Sequence, residues 1–187
     1  MNHGIPSANP GNLFKVNAIG ARNADSNASW QYLCDRIFLE RGWLVANFHG
    51  IDDGRIDREA LGWEAMPLAR FNLVLDYLES QDFWLAPFGE VARYIRERKS
   101  ATLTLKKQSD QSMTLVLEDG LDDRIYNKAL SLRIRLSAGW QKVTAYQNRR
   151  LVDHNLKPDG CLHLNLLPDG SDITIVREFA YRLLRSR

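Results

Sequence analysis

The chain has 187 residues, 44% of them hydrophobic and 26% charged, which fits one globular domain or two small ones and excludes coiled coil, collagen and bulk disorder. Its net charge is +2 with no dense Lys/Arg block, so neither nucleic acid nor an anionic membrane surface is expected as a partner. No apolar run reaches the roughly 20 residues that cross a bilayer, and the opening Met-Asn-His-Gly-Ile-Pro lacks a basic stretch followed by an apolar core, so no membrane span and no secretory leader are expected.

The Asn-rich opening leads into Leu13 to Ile19, whose alternation predicts a strand stopped by Gly20. The period then changes. Trp30, Leu33, Cys34, Ile37 and Phe38 have amphipathic-helix spacing, with Ser26, Asn27 or Ser29 as N-cap and Gly42 as stop. Trp43 to Phe48 is a short apolar run between glycines, predicting a strand buried on both faces and ending at His49-Gly50. After a polar loop from Asp52 to about Gly62, Leu68, Phe71, Val74, Leu75 and Leu78 predict a helix opened near Pro67. Phe83 to Ala86 reads as a further buried strand, and Phe88, Val91, Ala92 and Ile95 as one stripe of a third helix. Strands alternating with helices argue for parallel pairing, as in an open α/β sheet or a (β/α) barrel.

Beyond Ser100 the helical period disappears. Ala101 to Leu105, Met113 to Leu117, Leu130 to Leu136, Val143 to Tyr146, Cys161 to Leu166 and Ile173 to Val176 are short, β-rich segments. Turn clusters such as Pro158-Asp159-Gly160 and Pro168-Asp169-Gly170 separate them, predicting a small antiparallel sandwich. Glu178 to Arg187 reads as a terminal helix. The net charge is −2 up to Lys99 and +4 from Ser100, and four of the five tryptophans precede Ser100. Two domains are therefore expected, 1–99 and 100–187.

His49 stands at the carboxyl end of an expected buried strand, where α/β folds place ligand and catalytic groups. It reads either as a structural histidine or as a general acid or base, since imidazole titrates near neutral pH. Asp52 and Asp53 just beyond it either orient the ring or solvate the loop. Trp63 and Trp84 read as a sugar-stacking platform or as core. His154 and His163 sit on different expected elements without a Cys or carboxylate at ligand spacing, and HExxH, CxxC, phosphate-loop and Gly-x-Ser-x-Gly motifs are absent, so no metal or cofactor is expected on this chain alone. Cys34 and Cys161 read as buried free thiols. His3 is assigned no role.

Gly42 to Asp52, Phe71 to Leu78 and Phe83 to Arg98 together resemble the C-terminal part of the NodB-homology family of polysaccharide deacetylases, and the second half resembles the β-rich extension of some members. The resemblance implies the last strands and helices of a (β/α)7-type barrel followed by an all-β sandwich-like domain. It also implies removal of acetyl groups from amino sugars, with His49 matching the late-strand histidine that protonates the leaving group. A complete member would carry a divalent, zinc-like metal on one Asp and two His. The early Asp-Asp motif and His-x-x-x-His pair that supply it are missing here, and Ile51-Asp52-Asp53-Gly54 imitates the former in the wrong place.

Three readings follow. The chain is a deacetylase-like fragment or subunit, inactive alone and completed by an N-terminal barrel partner; or a non-catalytic carbohydrate-binding or assembly module; or a gene remnant. Either of the first two implies a polysaccharide or amino-sugar oligosaccharide as partner. A partial parallel sheet would also expose an edge, so self-association or a loosely folded first half is expected.

Overall fold

The computed structural model describes residues 10–21, 26–57 and 59–178. The chain divides into two compact units, Met1–Phe88 and Gly89–Arg187. Apart from Glu178, the expected terminal helix lies outside the described residues, as does His3.

The first unit is built on two helices. Helix α1 (Asn27–Glu40) starts at Ser26, whose hydroxyl accepts the Ser29 N–H at 3.1 Å, satisfying an amide with no partner inside the helix. It buries Trp30, Cys34 and Ile37. Helix α2 (Leu68–Ser80) follows Pro67 and buries Val74. The two pack together, and the Tyr77 hydroxyl donates to Asp35 across them. Trp30, Met66 and Val74 form the buried centre, with Phe48 and Phe71 against it.

The α/β barrel expectation is corrected here. The described residues of this unit hold only two separate parallel pairs of two-residue strands, β1 (Ile19–Gly20) with β2 (Ala46–Asn47) and β3 (Ile51–Asp52) with β4 (Met66–Pro67). Leu13 and Phe14 lie in a turn, in which the Asn12 side chain accepts the Phe14 N–H at 2.9 Å. Phe83 to Ala86 forms no strand. The physical reason lies in the aromatic side chains, which pack as rings instead of lining a sheet. Phe48 stacks on Trp30 at 5.9 Å and meets Phe71 edge-on at 5.1 Å. Trp43 stacks on Phe88 at 5.0 Å, and Phe83 meets Phe38 at 5.9 Å.

The second unit is mostly antiparallel sheet. Helix α3 (Phe88–Ser100) buries Val91, Ile95 and Glu97. The Glu97 carboxylate accepts the Lys128 N–H at 2.7 Å, and Lys128 pairs with Glu90 at 3.4 Å, tying the 119–129 connection to the helix. Strands β5 (Thr102–Gln108), β6 (Ser112–Glu118), β8 (Val143–Gln147), β9 (Arg150–Val152) and β12 (Asp169–Arg177) form a sheet of order β5-β6-β12-β8-β9. Strands β7 (Leu130–Arg135), β10 (His154–Leu156) and β11 (Cys161–Leu166) form a second sheet, β10-β11-β7.

Side chains alternate across each strand, so the register decides what faces inward. Leu162↔Ile134 and Leu164↔Leu132 place leucines and isoleucine of the second sheet on its inner face. Met113, Leu115, Ala145, Ile173 and Ile175 of the first sheet join them in one buried cluster. Burying each such side chain stabilises by roughly 1.5–3 kcal/mol.

Candidate functional site

Strand β3 leaves His49-Gly50 and returns at β4 after a polar turn. The Met66 N–H donates to the Gly50 carbonyl at 2.9 Å, and the Leu61 carbonyl packs against the Gly50 α-carbon. Asp52 and Asp53 hold the turn: their carboxylates accept the Gly54 N–H at 2.9 Å and the Arg55 N–H at 3.0 Å. Gly62 at φ +80 and Glu64 at φ 57 then swing the chain around Trp63.

The result brings together two residues singled out by sequence. The His49 and Trp63 rings meet edge-on, centroids 5.3 Å apart and planes at 71°. Trp63 remains 69% exposed and His49 is also exposed. A free indole with a polar ring fixed at its side offers a flat apolar surface beside hydrogen-bonding nitrogens. Trp84 stands on the separate connection between α2 and α3 and is 55% exposed.

The second unit carries a different polar feature. On the outer face of the β10-β11-β7 sheet, the register sets Asn155, His163 and Arg133 in one row and Asn165 and Ser131 in the next. The Ser131 hydroxyl donates to the Asn165 Oδ1 at 2.7 Å. Asn155, His163, Asn165, Ser131 and Asp153 line a hollow of about 450 Å³, and Arg133 lies outside its lining. Arg133 is turned to Asp159 at 2.9 Å. The Cys161 N–H, followed by Arg133, holds the Asp159 carboxyl below the usual carboxylate range. His154 points to the opposite face, its ring nitrogens 2.8 Å from the Val152 carbonyl and 3.0 Å from that of Val143. The two histidines therefore share no site, and among the described residues no three His, Cys, Asp or Glu side chains converge as a metal-ligand set. Both cysteines are buried free thiols.

No protein-family model matches the chain. It is similar to a gellan lyase from Bacillus sp., 23% identical over 144 residues that cover 75% of this chain and 6% of that protein. It thus spans a small part of the relative's length. A family 39 glycoside hydrolase from the gut symbiont Bacteroides cellulosilyticus WH2 aligns over 88% of this chain and 34% of its own at 11% identity, with a TM-score of 0.25, too low to show a shared fold. These findings overturn the deacetylase resemblance: the detected sequence similarity is to a gellan lyase, and the expected barrel strands form among the described residues only two separate two-stranded pairs and no barrel sheet. The sequence match is to a carbohydrate-processing protein and not to a deacetylase. Among the described residues no helix is long and apolar enough to cross a membrane.

Proposed function

We propose that this chain is a carbohydrate-contacting segment of a polysaccharide-processing protein, and that it holds a gellan-type polysaccharide against Trp63. The observation that carries the reading is the exposed Trp63 indole braced by His49. Indole faces suit the apolar C–H faces of sugar rings, so an exposed indole is free to stack on one. The edge-on imidazole restricts the indole's rotation and places ring nitrogens beside the stacking surface, where sugar hydroxyls can donate or accept. Trp84 supplies a second exposed indole for the same class of ligand. The similarity to a gellan lyase supports the choice of polysaccharide.

The role of the chain in this reading is binding. Its contribution would be to raise the local concentration of polymer near whatever groups perform chemistry in a longer protein, a gain set by tethering and not by new reactive groups. Depolymerised gellan added to the full chain should shift the Trp63 indole N–H resonance in a saturable way. Gellan binding that leaves this resonance unmoved, or no binding at all, refutes the proposal.

A further inference from the structure

The geometry points to a second saccharide site on the outer face of the β10-β11-β7 sheet, recognising sugar hydroxyls through Asn155, His163 and Asn165. This face is hollowed to about 450 Å³ and presents two amides, the His163 imidazole, a hydroxyl and the Asp153 carboxylate, with Leu132, His154 and Leu164 completing the lining. The side chains of Asn155 and His163 have no hydrogen-bond partner among the described residues, while Ser131 occupies the Asn165 carbonyl oxygen and so orients its NH2 group as donor. Amides and imidazole both donate and accept, which matches vicinal hydroxyls, themselves donors and acceptors.

Charge selects against other ligands. Arg133, the cation of the same row, is paired with Asp159, and Asp153 adds a carboxylate at the hollow, so the site has no free positive charge for phosphate. No aromatic residue lines the hollow, so recognition here is by hydrogen bonds, unlike the stacking surface at Trp63. The choice of saccharide as ligand class rests on the function proposed above, but the site itself stands on a different unit and different residues.

The test uses the full-length chain carrying W63A, titrated with depolymerised gellan and followed by NMR. The His163 ring and the Asn155 and Asn165 side-chain amide signals should shift in a saturable manner, and N155A/N165A in the same background should weaken that binding at least tenfold. Both positions are exposed on strands, and unchanged signals from Leu162 and Leu164 would show the sheet intact in the double variant. Shifts in W63A with an unresponsive Trp63 indole in the unaltered chain would leave the sheet site standing and remove the Trp63 reading. An unmoved His163 beside a responsive Trp63 indole would overturn the sheet site alone, and silence at both would overturn both. Binding by N155A/N165A as tight as by its parent would also overturn the sheet site.

Discussion

Gly50 lies so close to the Leu61 carbonyl oxygen that a β-carbon on Gly50 would stand 2.5 Å from it. That approach closes the turn which carries Trp63 back to His49. The neighbour is backbone, so it cannot swing aside as a side chain would.

G50A should therefore displace the 61–63 segment and separate the His49 and Trp63 rings without removing either. The expected outcome is at least a fivefold loss of affinity for depolymerised gellan, with the helical circular-dichroism signal of α1 and α2 retained. Parent-like affinity would show that the turn geometry does not matter for binding.

The β8–β9 hairpin turns through Asn148 at φ 47 and Arg149 at φ 61. Both central residues of this two-residue turn are left-handed, a conformation that costs a β-carbon-bearing residue roughly 1–2 kcal/mol and that glycine adopts freely. R149G should raise the stability of the second unit by about 0.5–1 kcal/mol in urea unfolding.

Burial pushes the Glu97 carboxyl above its ordinary 4.5, with the neighbouring Asp119 adding to the rise and the Lys128 N–H opposing it. Below 4.5 both folded and unfolded chains hold this proton. Above it the unfolded chain releases the proton first, so folding stability should fall as pH rises until the folded carboxyl also ionises. E97Q keeps an acceptor for the Lys128 N–H and removes the buried charge. It should flatten this slope and stabilise the chain at pH 7 by on the order of 1 kcal/mol. A slope unchanged in E97Q, measured by urea unfolding from pH 4 to 8, would assign the pH dependence elsewhere.

Burial also raises the Cys34 thiol, reinforced by Asp35, and Cys161 is equally enclosed. The thiolate is the reactive form, so the raised thiol and burial protect Cys34 and burial alone protects Cys161, and neither cysteine should react with an aromatic disulfide reagent at pH 8 in the native chain. Both should react at once in urea.

The three helices were legible because each repeats its apolar residues at helical spacing, and Ser26 was among the expected caps. The runs Trp43 to Phe48 and Phe83 to Ala86 misled for a specific reason. A short apolar run has no period to separate a buried strand from a segment whose rings pack on helices, and Trp43 and Phe83 find aromatic partners. In the second half each of the six expected stretches overlaps a strand, with Ala101 and Leu136 just outside β5 and β7, but β9 and β10, three residues each, are too short to show alternation.

The site divides in the same way. His49 and Trp63 each stood out by residue type, yet their contact depends on a turn closed by Gly50 and Leu61, a long-range fact that spacing does not encode. Asn155, Asn165 and Ser131 were missed because polar residues at alternate strand positions read as an ordinary solvent face. Only the register that aligns three strands gathers them.

The most direct test is calorimetric titration of depolymerised gellan into the full chain, W63A and H49A. W63A should bind at least tenfold more weakly, a loss of about 1.4 kcal/mol or more, with H49A falling between W63A and the parent. Equal affinity for W63A and the parent chain would contradict a saccharide contact at the indole.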